Sequence, residues 1–75
     1  MVKLMPYSIC RGLPADPAHE QEFIGAPPTL KLALDEALTV AKRRWNVTLG
    51  EEIRPQSPDY FLMKGAEIVV KLYEQ

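Results

Sequence analysis

Tyr60-Phe61-Leu62-Met63-Lys64-Gly65-Ala66-Glu67-Ile68-Val69-Val70-Lys71-Leu72-Tyr73 reads as a β-hairpin. Aromatic, β-branched and other apolar residues fill both halves, and Gly65-Ala66 suits a two-residue type II′ turn with glycine at its first central position. That turn sets Lys64 opposite Glu67, and an unbroken ladder then pairs Leu62 with Val69 and Tyr60 with Lys71. The other face pairs Met63 with Ile68 and Phe61 with Val70 and continues to Leu72. Because this second face is wholly apolar, it is the one expected against the core. Tyr60, Leu62, Val69 and Tyr73 are then left on the far side, framed by Lys64, Glu67 and Lys71.

Before the hairpin, residues 48–59 carry Pro55 and Pro58 and read as a connector. The segment Leu30 to Asn46 has the helical period: Leu30, Leu34, Ala37, Leu38, Ala41 and Trp45 fall within an arc of roughly 100°. Lys31, Asp35, Thr39, Lys42 and Asn46 lie opposite. Thr29 follows Pro27-Pro28 as the N-cap, Asp35 and Glu36 sit nearer the start, and Lys42, Arg43 and Arg44 occupy the end that the helix dipole favours for cations. Asn46 or Gly50 ends the helix. Leu32 is the apolar exception on the polar side, where either the preceding loop covers it or a partner meets it.

Residues 2–11 read as a strand with Met5, Tyr7 and Ile9 on one side. Pro6 has no N–H for a ladder, so this strand is expected at a sheet edge or bent at the proline. From Gly12 to Pro28 the chain carries Pro14, Pro17, Pro27 and Pro28, which is loop composition, with Ala18 to Phe23 suited to one helical turn. Together these readings predict one small α+β domain: strand 1–11, proline-rich loop 12–28, helix 29–46 and hairpin 60–73. The order is βαββ, with a three-stranded, mostly antiparallel sheet and one amphipathic helix packed on one face.

A chain of 75 residues has room for one core, and 47% hydrophobic with 25% charged residues is the composition of a folding domain rather than a disordered tail. Nine Lys+Arg against ten Asp+Glu leave a net charge of −1, which argues against nucleic acid and anionic membrane as partners. The chain contains no apolar run long enough to span a bilayer, and its start lacks the apolar stretch of a signal peptide. With a lone cysteine, Cys10, that suits a reducing interior, the expected location is the cytoplasm.

Signals for chemistry are sparse. The only histidine, His19, lies in the proline-rich loop, no cysteine or histidine stands at ligand spacing, and neither phosphate-binding glycine pattern occurs. Metal, cofactor and small-molecule substrate are therefore not expected. A nucleophile at Cys10 or Ser8 would need His19 brought to it as base. Asp35-Glu36 and Glu51-Glu52 are adjacent in sequence and diverge on a helix instead of sharing a proton. The chain is read as a non-enzyme.

What remains is protein binding. The far face of the hairpin, with Tyr60, Leu62, Val69, Lys71 and Tyr73, has the composition of an interface, and Leu32 adds a second exposed apolar position. The alternative for that face is that the loop 12–28 folds over it. The expected function is a non-catalytic binding or inhibitory domain that occupies a surface of a larger protein, or pairs with a second copy of itself. Size alone suggests the regulators and inhibitors carried by phages and other mobile elements. The alternative is a nucleic-acid-associated accessory protein using Lys42, Arg43 and Arg44. Against it, the segment that would follow as a recognition helix, 49–54, is acidic and stops at Pro55.

Overall fold

β1 (Tyr7–Arg11), β2 (Glu20–Gly25), β3 (Leu49–Gly50), β4 (Tyr60–Lys64) and β5 (Glu67–Glu74) form one sheet, and the helix α1 (Leu30–Trp45) connects β2 to β3. These elements come from a computed structural model that describes residues 5–75, so Val2 and Leu4 of the expected first strand lie outside the described residues. The strand order is β2-β1-β4-β5-β3 with every neighbouring pair antiparallel. The α+β class, with one helix and an antiparallel sheet, is as the sequence implies. The strand count and order are not: five strands in ββαβββ order replace three in βαββ.

The extra strand β2 occupies the segment read as loop, so Ala18 to Phe23 does not form a helical turn. Of the expected loop, residues 26–28 lead from β2 to the helix cap and 12–19 remain as the connection from β1 to β2. Asp16 organises this stretch, its Oδ1 accepting from the Ala18 N–H at 2.9 Å and its backbone carbonyl from the His19 N–H at 2.9 Å. The chain is thereby turned back onto β1, with Glu20 opposite Arg11 and Phe23 opposite Ser8. The consequence for β1 is that it lies inside the sheet, between β2 and β4, and not at an edge. Pro6 does not prevent this because the strand begins at Tyr7, and the Pro6 carbonyl accepts the Gly65 N–H at 2.9 Å.

The helix caps follow the sequence. The Thr29 hydroxyl accepts from the Leu32 N–H at 3.2 Å, and Asn46 takes the left-handed conformation at φ 55° that ends the helix. Its buried face is Ala33, Ala37, Val40 and Ala41, with Leu34, Leu38 and Trp45 half-buried beside them. Leu30, expected in the apolar arc, is 45% exposed. Small side chains at the contact let the helix axis sit close to the sheet. Trp45 is half-buried; its ring lies 5.5 Å from that of Tyr60, and its Nε1–H donates to Glu20 at 2.7 Å. Among the described residues no helix is long and apolar enough to cross a membrane.

The hairpin turn is as expected, with Lys64 opposite Glu67 and Gly65 at φ 60°. The ladder beyond it is not. Met63 pairs with Ile68, but Leu62 pairs with Val70, so Val69 is an extra residue in a β-bulge. From that point every side chain of β5 changes face: Phe61 meets Lys71 and Tyr60 meets Leu72. The bulge puts Tyr60, Leu62, Val70 and Leu72 together on one apolar surface, and this is the surface that packs with the helix, Leu62 and Leu72 being fully buried. The expected faces are therefore exchanged for Tyr60 to Met63 and for Ile68, so that Phe61 and Met63 point away from the helix, while Val70 and Leu72 face it as expected.

Candidate protein-binding surface

Paired residues on neighbouring strands share a face. One row on the side away from α1 is Phe23, Ser8, Met63 and Ile68, and the next is Gln21, Cys10, Phe61 and Lys71. Tyr73, two residues on from Lys71, continues the same side. Only Ser8, Gln21 and Lys71 are polar. An antiparallel sheet with one face in water normally alternates apolar inside with polar outside. Here the outer face is as apolar as the inner one, and no second helix or sheet lies on it among the described residues.

At the centre of this face Cys10, Phe61 and Met63 form a small cluster of their own, shielded by their neighbours. The Cys10 thiol donates to Met63 Sδ at 3.4 Å, and the Ser8 hydroxyl accepts from Gln21 at 2.9 Å. Around the cluster apolar side chains stand in solvent. Phe23 is 68% exposed on β2, Leu13 borders a hollow with Pro58 and Phe61, and Ile53, 81% exposed, borders another with Ile68, Lys71 and Tyr73. A large aromatic left mostly in water in the middle of a strand is the kind of feature that marks an interface.

The residues expected to bind divide accordingly. Lys71 and Tyr73 do lie on the face away from the helix. Tyr60 and Leu62 do not; both are buried on the helix side, and Val69, the bulged residue, packs half-buried against the same cluster. Lys64 and Glu67 also face the helix side, so they do not frame the outer surface. Residues 20–25 of the expected loop form β2 within the sheet, while Leu13 and Ala15 of the stretch before it lie beside Phe61 at the border of that surface. Leu32 is 47% exposed on α1 and borders a shallow hollow with Pro27 and Arg43. Phe23 was missed as a surface residue because its segment has the composition of a loop. The available signal was a single aromatic next to three polar residues, Glu20-Gln21-Glu22.

The basic cluster is largely spoken for. Arg43 bridges to Glu22 at 2.9 Å, while Arg44 reaches Glu22 at 3.1 Å and Glu20 at 4.0 Å and lies 5.3 Å from the Trp45 ring. These pairs fasten the end of α1 to the edge strand β2. Because they are partly exposed, changing Arg43 and Arg44 to glutamine is expected to cost at most about 1 kcal/mol in chemical denaturation. Lys42 stays exposed.

Among the described residues, two titratable groups depart from their ordinary values. Burial pushes the Cys10 thiol up, against a small opposing effect of the Ser8 hydrogen bond. Burial also raises the Tyr60 phenol; Arg11 pulls it down, while Glu74 and Asp59 raise it further. The unfolded chain ionises these groups near 9.0 and 10.0, and the folded chain only above those values. Their contribution to stability is therefore complete below pH 9 and is lost as pH rises through the raised values. Thermal melts at pH 8 and pH 10.5 should show a fall in midpoint that Tyr60→Phe partly abolishes. His19 does not approach Cys10: its Nδ1–H donates to the Gly12 carbonyl at 3.2 Å, and its ring borders an open cleft of about 790 Å³ with Arg11, Glu20, Tyr60 and Glu74.

No family model, curated protein or solved structure matches this chain.

Proposed function

We propose that this chain is a non-catalytic protein-binding domain whose contact surface is the sheet face opposite α1, where the exposed Phe23 and Ile68 flank the buried cluster of Cys10, Phe61 and Met63 and Lys71 and Tyr73 lie at the border. The observation that carries the reading is an outer sheet face built of apolar residues, with Phe23 68% exposed. The partner is a larger protein or a second copy of the chain, and the domain acts by covering the surface it binds, as an inhibitor or regulator does. We place its action in the cytoplasm, where a lone, buried, reduced cysteine is at home. The engagement of Arg43 and Arg44 by Glu20 and Glu22 supports this reading over one in which the basic cluster meets nucleic acid.

The test is a photo-crosslinking amino acid placed at position 23 and, separately, at position 31 on the exposed helix face. Irradiation in the source cell should give a discrete adduct from position 23 and none from position 31. No adduct from 23, or equal adducts from both, would contradict the assignment.

A further inference from the structure

We draw no further inference here: the strongest candidate, the open cleft where Asp16, Glu20, Asp59 and Glu74 meet Arg11 and His19, is an acidic cluster whose Glu20 and Glu74 already accept hydrogen bonds from Trp45 and Tyr60, and no independent observation points to a ligand in it.

Discussion

Leu62→Asp is expected to unfold the protein. Leu62 is fully buried, lies in the central strand of the sheet between Ile9 and Val70, and faces the helix. Removing its apolar side chain from the core costs about 2 to 5 kcal/mol. Aspartate adds a carboxylate to an apolar core that Leu62 shares with Ile9, Ala37, Ala41 and Leu72, and burying such a group adds at least about 2 kcal/mol. A chain this short has about 5 kcal/mol or less in reserve. Far-UV circular dichroism should therefore show loss of helix at 25 °C. A folded Leu62→Asp protein with unchanged melting would mean that Leu62 lies on an outer face, as an unbulged hairpin would place it.

Phe23→Asp is expected to have the opposite profile. Phe23 lies on the edge strand and is mostly in water, so its removal takes little from the core. The cost to folding should stay within about 1 kcal/mol, mainly from the poorer strand propensity of aspartate. At an interface hot spot the same change weakens association by about 2 kcal/mol or more, on the order of a thirtyfold loss of affinity. Phe23→Thr, which keeps a β-branched side chain, separates the two effects: it should melt like the parent and still bind poorly. Binding is read by co-purification with a tagged chain, or by sedimentation velocity where the partner is a second copy. Undiminished association by both variants would contradict a role for this face.

These two predictions exchange the roles that an unbroken hairpin gives to the sheet's faces, and the reason is physical. The Gly65-Ala66 turn, the Thr29 cap and the basic end of α1 are set by chemistry within a few residues, and each is legible locally. The bulge at Val69 is not. It depends on which side of β5 gains more by facing α1, and without it Val70 and Leu72 would lie on the opposite side of the sheet from Tyr60 and Leu62. β2 is hidden for a related reason: Glu20-Gln21-Glu22 has no apolar alternation. Arg11 on β1, and Arg43, Arg44 and Trp45 at the far end of α1, meet its glutamates only once the chain has folded. Of the site, Lys71 and Tyr73 were legible; Leu32 is exposed as read, but it lies on α1, away from that face. Phe23, Met63 and Phe61 became outward-facing residues only with the bulge and with β2 in place.

The central claim, that the sheet face opposite the helix is the one that meets a partner, is tested most directly by photochemical carbene footprinting of the native chain, isolated and in the assembly it forms in its source cell. Labelling of Phe23 and Ile68 should fall several-fold in the assembly, while labelling of Leu30 and Leu32 on the helix stays constant. Protection of Leu30 and Leu32, with Phe23 labelled as in the isolated chain, would contradict the account and move the binding surface to α1.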